Sequence, residues 1–351
     1  MGPARLTGRW EELAFASEAL RGNPLGDPHE RPVYVWTPPS YDEGGRRYPS
    51  VYVLQGLLGL APGWFNVRAF EPSFPERVEE LAPEAVVVLV DAFTSVGGSQ
   101  FLDSDAVGRY HAYLCDELVP WVDARFRTAP APEHRGLQGH SSGGYGAMVN
   151  AMLRPDLFGG FATHAGDALF ETSYAREFPE AARALRDRYD GSLERFWADF
   201  RSGRPAFSKP GDHVLLNLGA MAAVYSDGAL PFDPATGELR EEVWRRWLAR
   251  DPVRMAREPR HAEALRGMRA IWIDAGRSDE FFLDLGAAAF HRAVVAAGTP
   301  EERVRFELFD GRHSSVGWRY PLALGWLAER LGTGATRSSS LGPGSAKPNR
   351  R

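Results

Sequence analysis

Apolar residues in this chain recur with two periods, and the alternation between them sets the expected architecture. ELAFASEAL (12–20) and RPVYVWT (31–37) read as two early strands, separated by GNPLGDP, a run dense in turn formers. PSVYVLQG (49–56) and AVVVLVDA (85–92) are apolar at consecutive positions, which suits strands buried on both faces. In DAVGRYHAYLCDELVPWVDARF (105–126), Tyr110, Tyr113, Leu114, Leu118, Trp121, Val122 and Phe126 recur at near-helical spacing. That segment is expected to be a core-facing helix, kinked or broken at Pro120. HRGLQG (134–139) then reads as a strand, GAMVNAML (146–153) as a helix and GGFATHAG (159–166) as a strand.

From about 170 to 267 the pattern changes. Charged helical pieces such as EAARALRDRYD and REEVWRRWLAR alternate with polar loops, which predicts an inserted helical cap. RAIWIDAG (269–276) restores strand character. A helix (283–297), the strand RVRFELFDG (303–311) and a last helix (317–331) complete the order. Strands alternating with helices imply an α/β fold with a mostly parallel central sheet and helices on both faces. The expected division is a main unit of residues 1–169 and 268–332, a cap of 170–267 and a disordered tail of 333–351.

Composition narrows this picture mainly by exclusion. The 351 residues are 44% hydrophobic and 25% charged, with a formal net charge of −5, which gives no reason to expect a nucleic-acid partner. No run of 18 apolar residues predicts a membrane span, and Cys115, the single cysteine, rules out an internal disulfide. Cys115 falls on a core-facing helix and is expected to be inert. MGPARLTGRWEELAF lacks the apolar core of a secretory signal, so a cytoplasmic location is expected. HExxH, paired CxxC, P-loop and G-x-G-x-x-G patterns are all absent, so no metal and no cofactor are implied.

The chemistry is carried by GLQGHSSGGYGAM (136–148), in which Gly139-His140-Ser141-Ser142-Gly143 matches G-x-S-x-G. That pattern serves an abrupt strand-to-helix turn, with a strained central serine and glycines where side chains would collide. Strand character before it and helix character after it supply the required context, so Ser141 is the candidate nucleophile. Ser142 lacks a glycine two residues before it. A serine needs a base, and the expected chain order is Ser, then Asp or Glu, then His. Among the nine histidines only His313, in FDGRHSSVGW, follows the last predicted strand. In IWIDAGRSDEFF three carboxylates compete for the acid role. Asp279 lies in the loop and is preferred, Glu280 comes next, and Asp274 lies within the strand pattern, where a structural hydrogen bond suffices for it. The backbone N–H groups of Leu57, after Gly56, and of Ser142 are the candidate oxyanion donors.

These residues together resemble the esterase branch of the α/β-hydrolases that includes S-formylglutathione hydrolase (esterase D), the enterochelin esterases and the mycobacterial mycolyltransferases. The resemblance runs from about residue 30 to 330. GHSSGGYGAM is similar to that family's GxSMGGYGA segment, with Ser142 in place of Met, and DAGRSDEFFLD and DGRHSS resemble its acid and histidine loops. The resemblance implies the α/β-hydrolase fold and places the acid at Asp279 and the base at His313. The chain departs from the family's pattern at two positions. Gln55-Gly56 stands where many members have His-Gly, and Leu58 where the mycolyltransferases have arginine.

The expected activity is that of a serine carboxylesterase acting on a small-molecule ester. An acyltransferase on the same triad and a non-catalytic binding protein are the alternatives. Gln55, His140, His164 and Asp167 are further candidates for the pocket wall. His140 is expected to pack beside the turn, while His164 and Asp167 follow a strand end. Trp197, Trp244, Trp247 and the apolar run VLLNLGAMAAVY (214–225) are read as the core of the cap, with an apolar pocket wall as the alternative.

Overall fold

The computed structural model describes residues 9–66 and 70–332; the expected tail, 333–351, lies outside the described residues. Eight strands form one sheet: β1 (Arg9–Ala16), β2 (Glu30–Thr37), β3 (Ser50–Leu54), β4 (Val86–Val90), β5 (Arg135–His140), β6 (Gly160–His164), β7 (Ala270–Gly276) and β8 (Val304–Phe309). Their spatial order is β1-β2-β4-β3-β5-β6-β7-β8. β2 is antiparallel to both β1 and β4, and every other neighbouring pair is parallel. Each expected strand is present, but β1 is displaced toward the N-terminus. Its pairing ends at Ala16, opposite Glu30, because the Glu117 carboxylate then takes the Ser17 hydroxyl and the Ala19 N–H and draws the chain out of the sheet.

The continuous apolar runs of β3 and β4 feed two cores. Tyr52, Leu54, Val86, Val88 and Val90 face the larger one, while Val51, Val53, Val87 and Leu89 face the other. The smaller core is covered by α1 (Phe74–Leu81) and the last helix, Arg319–Arg330. α1 falls outside the expected elements, although its signal is local: Ser73 and Glu76 form a reciprocal capping box. On the larger face a helical segment runs from Tyr110 to Arg125. It starts five residues later than its periodicity predicts, because Asp103–Ser104 and Gly108–Arg109 form a small hairpin and the Asp103 carboxylate caps the N–H groups of His111 and Ala112. Pro120 does not break it. A π-helical turn over Tyr113–Leu118 precedes the proline, and the Val119 N–H reaches back to the Leu114 carbonyl. The wider turn absorbs the missing donor and the ring's steric demand.

The region from 170 to 267 is helical, as its pattern predicts. Its longest helices are α2 (Phe178–Tyr189) and α3 (Asp212–Ser226), with Leu193–Phe200 and Glu241–Leu248 packed beside α3. Trp244 and Trp247 are buried among Phe178, Tyr174 and Tyr225, so they are core residues here, and Trp197 packs on the same core. That core is continuous with the larger core of the sheet. Among the described residues, no helix is long and apolar enough to cross a membrane.

Candidate active site

Five adjacent parallel strands end on one side of the sheet, and the candidate residues follow those ends. Leu57 comes after β3, Ser141 after β5, Asp167 after β6, Asp279 after β7 and His313 after β8. All but Asp279 border one cavity of about 360 Å³, while Asp279 lies buried behind the His313 ring.

The turn at Ser141 is built by its glycines. Ser141 has φ 55° and ψ −126°, and helix α4 (Ser142–Leu153) begins at the next residue. The Ser141 N–H is held by the His164 carbonyl at 3.0 Å, and the Ser141 carbonyl accepts from the Tyr145 N–H at 2.9 Å. A Cβ on Gly139 would stand 2.3 Å from the Gly143 backbone, and one on Gly143 would stand 2.2 Å from the Leu54 carbonyl oxygen. Both glycines are therefore required, the second by the neighbouring strand and not by the turn alone. Gly56 lies so close that a Cβ there would be 3.7 Å from Ser141 Cβ. The N–H groups of Leu57 and Ser142 have no protein acceptor among the described residues.

His313 Nδ1 is 2.9 Å from Asp279 Oδ2, and the Asp279 side chain is fully buried. Its other oxygen accepts the Phe281 N–H at 2.9 Å. Glu280 plays a different part, accepting the backbone N–H of His313 at 3.1 Å. The two loops meet tightly, since a Cβ on Gly276 would stand 2.4 Å from the Gly311 carbonyl oxygen. The His313 ring is packed between His140, at 4.3 Å between centroids, and Phe281, at 4.8 Å and nearly perpendicular. Burial, reinforced by His313 and His164, holds His140 well below the usual histidine range, so it is neutral. Among the described residues, Ser141 Oγ makes no hydrogen bond to His313; the two groups share the cavity.

Two of the expected wall residues are elsewhere. His164 is fully buried and does not reach the cavity. It pairs in register with Asp274, so both side chains stand on the face covered by Tyr320, and His164 Nδ1 lies 2.7 Å from Asp274 Oδ1. Asp274 also accepts from Trp272 Nε1 and Arg319 Nε; these donors outweigh the effect of burial and hold its carboxyl below the usual range. It is a structural carboxylate. Gln55 turns back to the end of β4, where its carboxamide oxygen accepts the N–H groups of Ala92 and Phe93 and its amide donates to the Val90 carbonyl. It borders a neighbouring cavity of about 590 Å³ and not the one at Ser141. Asp167 and His140 do line the Ser141 cavity.

Sequence reasoning missed Tyr174, His213, Asn217 and Phe281, which also line it. Asn217 left a readable signal, as the one polar side chain in the apolar run 214–225. Tyr174, His213 and Phe281 stand out less, because they sit at helix ends and in a loop with no periodic pattern to mark them. Among the described residues, no group of three or more His, Cys, Asp or Glu side chains is arranged to hold a metal ion.

This geometry coincides with a match along most of the chain. The family model described as "Putative esterase" matches residues 27–326. The chain belongs to this esterase family. Two curated relatives match over shorter stretches. Esterase Rv1288 of Mycobacterium tuberculosis is 28% identical over 156 residues, covering 44% of this chain and 31% of that protein. The uncharacterized protein YbbA of Bacillus subtilis is 24% identical over 153 residues, covering 40% of this chain and 58% of that protein. The match thus spans less than two thirds of either relative's length.

Solved structures extend the likeness over nearly the whole chain. A ferulic acid esterase covers 93% of this family member and 100% of itself, at TM-score 0.58 and 17% identity. The S-formylglutathione hydrolase of Agrobacterium tumefaciens covers 94% and 98%, at 0.54 and 19%. MPT51 of Mycobacterium tuberculosis covers 92% and 99%, at 0.54 and 16%. At these identities the likeness is one of fold, the α/β-hydrolase fold.

Proposed function

We propose that this esterase-family chain hydrolyses a carboxylic ester by two-step acyl transfer. Ser141 attacks the ester carbonyl while His313 Nε2 takes its proton. Asp279 holds the ring through Nδ1 and stabilises the imidazolium, and the N–H groups of Leu57 and Ser142 receive the oxyanion. The partial positive charge at the start of α4 favours that oxyanion further. His313 then protonates the leaving alcohol, and water repeats the sequence on the acyl-enzyme.

The observation that carries this reading is the 2.9 Å His313–Asp279 contact, opening onto the same cavity as a serine held at positive φ. Ser141 and His313 are 172 residues apart (313 − 141), and a surface histidine has no reason to meet a buried carboxylate beside a strained serine. The absence of a Ser141–His313 hydrogen bond fits a site that tightens when substrate binds.

The test is labelling with a fluorophosphonate, located by mass spectrometry, beside turnover of short p-nitrophenyl esters. We expect the label on Ser141, and Ser141→Ala to lose turnover by about 10⁴ or more. Label on Ser142, or turnover surviving in Ser141→Ala, would sink the assignment.

A further inference from the structure

Among the described residues, the cavity at Ser141 is lined by hydrogen-bond acceptors and by no lysine or arginine; the imidazole of His213, from the insertion, stacks on Phe281 at 5.7 Å between centroids. Asp167 is 7% exposed and lines the cavity. Its Oδ2 takes every donor within reach: the Tyr174 hydroxyl at 2.8 Å, the Gln100 amide at 3.1 Å and the Ser142 hydroxyl at 3.4 Å. Its Oδ1 takes none among the described residues, and it is not sealed from the cavity. No lysine or arginine among the described residues pairs with this carboxyl. The Ser142 bond places it one residue from the nucleophile.

Asn217 supplies a second acceptor independently. Its Nδ2 donates one hydrogen to Glu177 Oε2 at 2.8 Å, which fixes the amide; Oδ1 and the second Nδ2 hydrogen have no partner among the described residues. Arg176, the cation near Glu177, is turned to Glu177 Oε1 and to the Glu280 carbonyl. Asp167 thus keeps one carboxylate oxygen, and Asn217 its amide oxygen, open to a donor that a ligand would supply. Leu57, Phe281 and Leu283 supply apolar lining to the same cavity.

We propose that Asp167, seconded by Asn217, is the specificity-determining group of this cavity, selecting esters that carry a hydroxyl or ammonium group close to the scissile carbonyl. The proposal rests on the reading of Ser141 as an ester-attacking nucleophile. Asp167 takes no part in the bond changes; it receives a hydrogen from the substrate and so positions the carbonyl. Anionic esters are excluded by the same carboxylate.

The experiment measures kcat/KM by pH-stat for methyl butanoate, methyl 3-hydroxybutanoate, methyl 3-aminobutanoate and monomethyl succinate. Propyl butanoate against glycerol 1-butanoate covers a donor on the alcohol side. We expect at least one donor-bearing ester to exceed its plain counterpart about tenfold or more, with monomethyl succinate the poorest. The readout in variants is the ratio of donor-bearing to plain ester. Asp167→Asn is expected to lower the ammonium ratio more than the hydroxyl ratio, and Asn217→Leu to lower the preferred ratio severalfold. Preference for the hydroxyl ester alone identifies a neutral donor, and preference for the ammonium ester identifies a cation. Equal rates across both series, or variants that slow all esters alike, would overturn the subsite while leaving the esterase reading standing. A protein that turns over none of these esters and takes no fluorophosphonate at Ser141 overturns both.

Discussion

Two carboxylates stand side by side after β7, and only their contacts tell them apart. Asp279 meets the His313 ring, whereas Glu280 holds the His313 backbone. Asp279→Asn is therefore expected to lower kcat by about 10³–10⁴, since the ring loses its tautomer and its counter-charge. Glu280→Gln, which keeps an acceptor for the backbone N–H, should cost less than about tenfold. Equal losses measured on one p-nitrophenyl ester would reverse the assignment. Glu177 yields a prediction about stability. Burial is the main influence and pushes its carboxyl from an ordinary value near 4.5 up to about 7. The unfolded chain thus releases this proton at lower pH than the folded one, so stability falls as pH rises from about 4.5 to about 7. The full difference is about 3 kcal/mol. Glu177→Gln should raise the thermal midpoint at pH 8 and leave it unchanged at pH 4. A gain of the same size at both pH values would show that ionisation is not the cause. At this scale the sequence singled out Ser141, by the glycines around it, and His313, by its place after the last strand. It left Asp279, Glu280 and Asp274 open, because a carboxylate's role depends on which group faces it.

Elements explain why the serine stands where it does. Strand β5, the turn and α4 leave no space for side chains at 139 and 143, and the second restriction comes from the Leu54 carbonyl of β3. Gly139→Ala is expected to destabilise the fold by about 2–4 kcal/mol in a urea titration, through overpacking against backbone that has no rotamer to yield. A change below about 0.5 kcal/mol would mean that the turn is looser than its contacts imply. Most elements were legible from period alone, since β3 and β4 are buried on both faces and read as near-continuous apolar runs. Three features were not. β1 ends early because a carboxylate from residue 117 intercepts it. The helix from Tyr110 starts late because an aspartate from the preceding hairpin caps it. Pro120 is accommodated by a π-turn that no local rule requires. In each case a tertiary or neighbouring contact overrode the local preference.

On the scale of the whole molecule, we propose that the helices between 170 and 250 act as a cap over the Ser141 cavity, with Tyr174, His213 and Asn217 forming their share of its wall. Pro259–Gly267 packs on α4 and is better grouped with the layer that covers the sheet. Because the apolar core runs without interruption from sheet to insertion, heating should give one cooperative transition with coincident circular dichroism and tryptophan fluorescence midpoints. Two resolved transitions would show that the insertion folds separately. The sequence by itself determined the alternation of strands and helices, the position of the turn at Ser141 and the place of His313 after the last strand. Each of these depends on local periodicity or on the order of residues along the chain. Only the tertiary structure decided which carboxylate meets His313, that His164 faces away from the cavity while Asp167 faces into it, and which insertion residues complete the wall. His164 is still in β6 and takes its direction from the sheet, whereas Asp167 lies past the strand end, where the loop's path aims the side chain. A cavity wall assembled from five strand ends and an insertion has no period to read.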